Sequence, residues 1–416
     1  MSNKKKIIND PVFGFISIPN ELVYDVLQHP FVQRLSRIRQ LGLSYFVYPG
    51  ALHSRFLHSL GAMHLMGEAI TSLRQKGVLI TEEESTAAMI GILLHDIGHG
   101  PFSHVLEHTL VSGITHEDIS LKMMETIGEE IKQKDPCGEH ARTMTTAIAI
   151  FKDEYPKHFL HQLISSQLDV DRLDYLCRDS FFCGVTEGSV ASARILKMLH
   201  VVDDRLVVEA KGIYSVEKFL VARRLMYWQV YLHKTGVGAE LLLIKLLTRA
   251  KEVAAGKVAG CQETLFCSPA LHYFLYNSVT AENFDLHQYA LLDDSDVLSA
   301  VKAWTQSGDR VLRILCEAFI NRRLFKARET EYPLTEAEKK ALRQTYAGAM
   351  AVTEEEAAYF FEEHVSASRT YSEKDDTINI LYNDGRVKDI AEASEILDLE
   401  ALTRRPEKRY LYKFEL

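Results

Sequence analysis

Apolar residues recur every three to four positions along most of the chain, the period of amphipathic helices, and this predicts a mainly α protein to about residue 325. From Pro30 to Leu41 the pattern sets Phe31, Leu35 and Ile38 on one side of a helix, with Arg34 and Arg37 off it. Thr81-Glu82-Glu83-Glu84 is a capping box opening a helix that runs to His95, and its acidic first turn suits the positive end of the helix dipole. Ser215 starts a long helix through Phe219, Ala222, Leu225 and Met226. Asp293-Asp294-Ser295-Asp296 caps another, its acidity reading as N-capping rather than metal binding. The period changes at Val201-Val202-Asp203-Asp204-Arg205-Leu206-Val207-Val208, two β-branched runs around a polar turn that predict a β-hairpin.

After Tyr332-Pro333-Leu334 the pattern shifts. A charged helix (Glu336 to Tyr346) precedes strand-like Thr377 to Tyr382, an Asn383-Asp384-Gly385 turn, Arg386-Val387, and strand-like Arg409 to Phe414. The expectation is a core over residues 1–328 and a small α/β C-terminal domain over 329–416. That appendage carries no recognisable catalytic motif, so its default role is packing or subunit contact. No internal repeats or low-complexity segments interrupt the chain.

Composition narrows the classes. With 416 residues, 47% of them hydrophobic, the chain can bury a large core. No apolar stretch approaches a membrane span, and the basic N-terminus lacks the apolar segment of a signal peptide. Six cysteines (137, 177, 183, 261, 267 and 316) show no CxxC pair, which predicts free thiols in a reducing cytoplasm. Cys177 reads as a packed helix residue. A net charge of −9 argues against extended nucleic-acid binding but leaves a nucleotide substrate open, because local charge decides that.

The densest chemistry lies in Gly91-Ile-Leu-Leu-His95-Asp96-Ile-Gly98-His99-Gly100-Pro101-Phe-Ser-His104. Three imidazoles and a carboxylate within ten positions, at the end of an apolar helix, need something to pair with. His95 and Asp96 offer the nitrogen and oxygen that a borderline divalent metal prefers. Glycines and a proline end the helix there, so His99 and His104 can fold back over the same place. Further donors lie in Ser54-Arg55-Phe56-Leu57-His58 and in Asp169-Val170-Asp171-Arg172-Leu173-Asp174-Tyr175. In the latter, Asp171, Asp174 and Tyr175 share one helical face with Arg178 a turn further on.

Together these blocks resemble the HD-domain metal-dependent phosphohydrolases, whose ligands come in the order His58, His95-Asp96, Asp171. Ile8-Asn9-Asp10-Pro11, Gln33-Arg34-Leu35, Arg39-Gln40-Leu41-Gly42, Tyr48-Pro49-Gly50, Thr115-His116-Glu117 and Arg223 to Lys234 extend the likeness to the deoxynucleoside triphosphate triphosphohydrolase (dNTPase) branch. That branch includes bacterial dNTPases and the vertebrate SAM-and-HD-domain enzyme, and the likeness covers roughly residues 4 to 325.

The resemblance implies a helical HD core with its metal-site region at about 50–180. His58, His95, Asp96 and Asp171 would hold one divalent ion per subunit, for which Fe, Mn, Zn and Ni suit the donors and Mg less well, with Mg accompanying the nucleotide. It makes His116 the general acid, with Glu117 tuning its ring, and places His99 and His104 at the scissile phosphate. Arg55, Arg172 and Arg223 would meet the triphosphate. Gln40 and Leu41 would line the sugar and base pocket, Tyr175 and Asp179 would read the sugar, and Tyr227, Trp228 and Tyr231 would stack on the base or serve as core. Regulated relatives read an activating guanine with an acidic residue and an arginine where this chain has Gln28 and Ser36, although Lys6, Asn9 and Gln33 match. This departure speaks against a guanine-specific activator site.

The implied reaction is hydrolysis of a dNTP to deoxynucleoside and tripolyphosphate, by water attack at the α-phosphorus, in a dimer or tetramer. Two alternatives stand beside it: an HD-type phosphohydrolase acting on nucleoside monophosphates or other phosphoesters, and a non-catalytic nucleotide sensor.

Overall fold

The computed structural model describes residues 6–102, 105, 109–258, 260, 261, 263–367, 377–395 and 406–416. It is mainly helical, with small sheets at the periphery. Helix Arg55–Gln75 runs through the centre and buries Leu60, Met63, Met66, Ile70 and Leu73. It packs on one side against Glu82–Leu94 and on another against Val170–Cys183. His116–Lys134 and Glu139–Phe151 close the outer layer, the latter against Glu82–Leu94.

The Thr81 capping box forms as expected. Thr81 Oγ1 accepts from the Glu84 amide at 3.1 Å, and Glu84 Oε2 accepts from the Thr81 amide at 2.8 Å. The helix ends at Leu94, with His95 at its cap. A second box caps Asp294–Trp304 through Asp293 and Asp296. The hairpin pairs Leu199–Val202 with Arg205–Glu209 across Asp203 and Asp204, both at positive φ, a turn matching the strands' twist.

One expectation is overturned. The segment from Pro30 to Leu41 is not one helix: Pro30–Arg34 is followed by a single 3₁₀ turn, Leu35–Arg37. Arg34 is fully buried. Its guanidinium donates to the Leu292 carbonyl at 2.9 Å and the Ile97 carbonyl at 3.3 Å, and lies over the Tyr289 ring. These carbonyls end other segments inside the protein and need donors, which draws the arginine inward. The helix expected from Ser215 starts at Ile213 and continues past Met226 into a π-helical turn, Tyr227–Tyr231.

The C-terminal strands join two sheets. Asn379–Leu381 lies parallel to Val207–Glu209 of the hairpin, with Val387–Asp389 outside it, making one four-stranded sheet. Glu407–Lys413 is the centre of a three-stranded sheet between Lys326–Glu329 and Phe361–Ala367. Among the described residues no helix is long and apolar enough to cross a membrane.

Candidate metal and nucleotide site

Three helical segments bring His58, His95 and Asp171 to one point. His58 lies in the first turn of Arg55–Gln75, His95 at the end of Glu82–Leu94, and Asp171 in the first turn of Val170–Cys183. The two Nε2 atoms are 3.4 Å apart, and Asp171 Oδ1 lies 3.0 Å from that of His58 and 3.4 Å from that of His95. Metal–ligand bonds of about 2.0–2.2 Å separate neighbouring donors by about 3–3.5 Å, so the spacing suits one ion. Each ring is oriented from behind. His58 Nδ1 lies 2.7 Å from Asp174 Oδ2, and His95 Nδ1 lies 2.6 Å from the Ile92 carbonyl. A proton on each Nδ1 leaves both Nε2 lone pairs facing the centre, as metal-binding histidines require. These donors fit a transition-type divalent ion.

Asp96 stands beside this trio, with Oδ1 3.4 Å from His95 Nε2 and Oδ2 3.9 Å from His58 Nε2. It also accepts from Arg55 Nη1 at 2.5 Å, and its Oδ1 lies 3.3 Å from His99 Nε2. Burial alone would raise Asp96, but His95, His99 and Arg55 outweigh it and hold the carboxyl well below its usual range. Burial likewise opposes a charged His58, yet hydrogen bonds to Asp171 and Asp174 prevail and lift it to about 10, so a metal ion would have to displace the Nε2 proton on binding. His99 goes the other way: burial, then the Arg55 charge, push it down to about 3, so it is neutral at pH 7. Ser120 fixes the turn after His95, donating to the His95 carbonyl and accepting from the Gly98 amide, both at 2.9 Å.

The His116 ring stacks on His99 at 4.1 Å, at the start of the helix capped by Thr115. Glu117 is exposed in that first turn. His104 lies outside the described residues.

A second cluster adjoins the first along Val170–Cys183. Tyr175 packs edge-on against Tyr231, and Tyr231 against Tyr227. The Tyr231 hydroxyl donates to Asp179 Oδ2 at 2.8 Å. Arg223, buried, lies over the Tyr227 ring and donates to Gln167 Oε1 at 3.1 Å. Arg172 donates through Nε to the Ser166 carbonyl at 2.7 Å and lies 3.2 Å from Asp169. Gln40 and Leu41 are half-buried, and the Gln40 amide donates to the His53 carbonyl at 2.9 Å.

Sequence reasoning missed the roles of Asp10, His53, Asp174 and Arg178. Arg178 donates to both oxygens of Asp174 at 2.9 Å and to Asp10 at 2.7 Å, with all three side chains buried. Gly61 makes room for this pairing, since a Cβ there would lie 1.9 Å from Asp174 Oδ1 and 2.1 Å from Arg178 Nη2. The spacing of Asp174 and Arg178 at four positions signals the pair; nothing local signals Asp10 or His53.

Comparison with known proteins points to one family. Residues 55–179 match the HD domain family and residues 190–262 the HD associated region. The crystal structure of a phosphohydrolase from Bacteroides thetaiotaomicron superposes with a TM-score of 0.93 at 52% identity, covering 99% of this chain and 100% of that one. YwfO of Bacillus subtilis is 33% identical over 326 residues, 78% of this chain and 72% of the relative. A Dictyostelium discoideum homolog of deoxynucleoside triphosphate triphosphohydrolase SAMHD1 is 32% identical over 258 residues, 59% of this chain and 50% of that protein.

Proposed function

The chain belongs to the HD-domain phosphohydrolase superfamily, among relatives of dNTPase type, and from that premise we propose that it hydrolyses deoxynucleoside triphosphates to deoxynucleoside and tripolyphosphate. One juxtaposition carries this reading. The Val170–Cys183 helix holds both a donor of the metal trio, Asp171, and, one and two turns further on, the Tyr175 and Asp179 pair that would read a sugar. A site for simple phosphoesters has no use for the second feature.

His58, His95 and Asp171, with Asp96 alongside, would hold a divalent ion, which would supply Lewis-acid polarisation of the phosphate and a more acidic water. Water oxygen bonds to the α-phosphorus and releases its proton to solvent as the bond from phosphorus to O5′ breaks. His116 donates the proton that the departing O5′ takes up. Neutral His99, its one N–H directed at Asp96 and its ring stacked on His116, packs beside the scissile phosphate, and His104 serves the same region. Glu117 adjusts His116 electrostatically. Arg55, Arg172 and Arg223 balance the triphosphate charge. Tyr175 packs where a 2′-hydroxyl would project, Asp179 accepts from the 3′-hydroxyl, and Gln40, Leu41, Tyr227 and Tyr231 complete the nucleoside pocket. The reading includes a cytoplasmic setting, supported by six free cysteines, and a dimer or tetramer.

The test is product analysis of metal-loaded protein with each dNTP, the matching NTPs and a generic phosphomonoester, beside Asp171→Ala. Deoxynucleoside plus tripolyphosphate, absent from the variant, is the expected result. Inorganic phosphate from monoesters alone would overturn the substrate assignment.

A further inference from the structure

We propose that His53 is a positioning residue for sugar recognition, holding the Asp179 carboxylate in the orientation that accepts a 3′-hydroxyl. This rests on the nucleotide reading above and adds a residue to it.

His53 Nε2 lies 2.8 Å from Asp179 Oδ1, with the histidine side chain wholly buried and the aspartate 1% exposed. The imidazole lies flat on the Phe182 ring, centroids 4.5 Å apart and planes 17° from parallel. Among the described residues the buried Nδ1 has no hydrogen-bond partner. A proton there would be a buried donor with no acceptor, so the proton sits on Nε2 and is donated to Asp179. The other carboxylate oxygen accepts from Tyr231.

Asp179 is therefore clamped by two neutral donors from two segments, the approach to the Arg55 helix and the π-helical turn. Rotation of the carboxylate is blocked. Among the described residues no arginine or lysine pairs with it, and each oxygen receives one of these donors, leaving a lone pair for a substrate hydroxyl. A carboxylate buried only for packing would be cheaper as a neutral group, whereas an acceptor for a substrate hydroxyl needs both its charge and its free lone pairs. The backbone is equally committed. The His53 carbonyl accepts from the amide of Gln40, and Gly50 lets the loop approach so closely that a Cβ there would lie 2.4 Å from the Phe182 carbonyl oxygen. Gln40, His53, Asp179 and Tyr231 thus form one connected wall.

Two substitutions separate the donor from the ring. His53→Phe keeps an aromatic ring on Phe182 and removes the donor; His53→Gln keeps a donor for Asp179 and removes the ring. The readout is kcat/KM for a dNTP and for the matching 2′,3′-dideoxynucleoside triphosphate. Wild type is expected to prefer the dNTP. In His53→Phe the dNTP value falls about 10- to 100-fold while the dideoxy value changes little, so the preference collapses; in His53→Gln most of it survives. A preference intact in His53→Phe, an equal loss on both substrates, or loss in the glutamine variant alone would overturn the role. Wild type turning over both substrates equally would also overturn it. Wild type active on neither nucleotide would instead overturn the nucleotide reading, a separate result.

Discussion

Asp174 Oδ2 sits 2.7 Å from His58 Nδ1 and also accepts from Arg178 Nε at 2.9 Å, so one carboxylate orients an imidazole of the candidate metal trio and anchors a buried arginine. Arg178 reaches on to Asp10 in the N-terminal hairpin. The centre is thereby tied to a strand far outside the metal-site region.

Asp174→Asn keeps the shape but weakens the pull on the His58 proton and halves the charge opposite Arg178. Metal affinity is expected to fall about 10- to 100-fold, the usual cost of removing such a partner. Titration calorimetry with a divalent ion measures it; unchanged affinity would show that Asp174 serves folding alone.

Gly61→Ala drives a methyl group into the Asp174–Arg178 pair. Parting a buried ion pair costs about 3–5 kcal/mol, above ordinary overpacking. Gly67→Ala, on the same helix, meets only Met89 Sδ at 3.6 Å and is expected to be neutral or to gain up to about 1 kcal/mol from helix propensity. Denaturant unfolding of the two variants should separate them widely, and similar stabilities would contradict the geometry.

Asp294 carries a pH dependence. Burial raises its carboxyl to about 6, against the opposing influence of Arg39. The folded chain then holds this proton more tightly than the unfolded one, whose carboxyl titrates near about 4. Its contribution is thus most favourable below about pH 4, declines as pH rises to about 6, and stays lower above. Between pH 4 and pH 7, wild type should lose about 2 kcal/mol relative to Asp294→Asn. A stability difference that does not move with pH would remove this account.

Metal and fold should be linked through the trio. A divalent ion at about 100 times its Kd raises stability by about 2.7 kcal/mol, and a chelator reverses this. Asp171→Ala should abolish the response in a thermal melt while the fold persists. A response of wild-type size in the variant would place the ion elsewhere.

Much of the site is readable along the chain because its signals are local. His95 and Asp96 are neighbours, His99 follows within a turn, and Asp171, Tyr175 and Asp179 repeat at helical spacing. The capping boxes at Thr81 and Asp293 and the turn at Asp203-Asp204 are equally local, each set by contacts within four residues. Arg34, off the apolar side by periodicity yet fully buried, shows the opposite case. Its environment is set by carbonyls 63 and 258 positions away, and a side chain normally solvated is buried where such acceptors await a donor.

By itself, then, the sequence determined the helical periodicity, the caps and turns, and the donor types available for a divalent ion, since each depends on neighbours along the chain. Tertiary structure alone decided that His53 meets Asp179 across 126 positions, that Arg178 meets Asp10 across 168, and that Asn379–Leu381 adds to the hairpin sheet. Those pairings follow from which buried donor faces which buried acceptor once the helices have packed, and spacing along a chain carries no record of that.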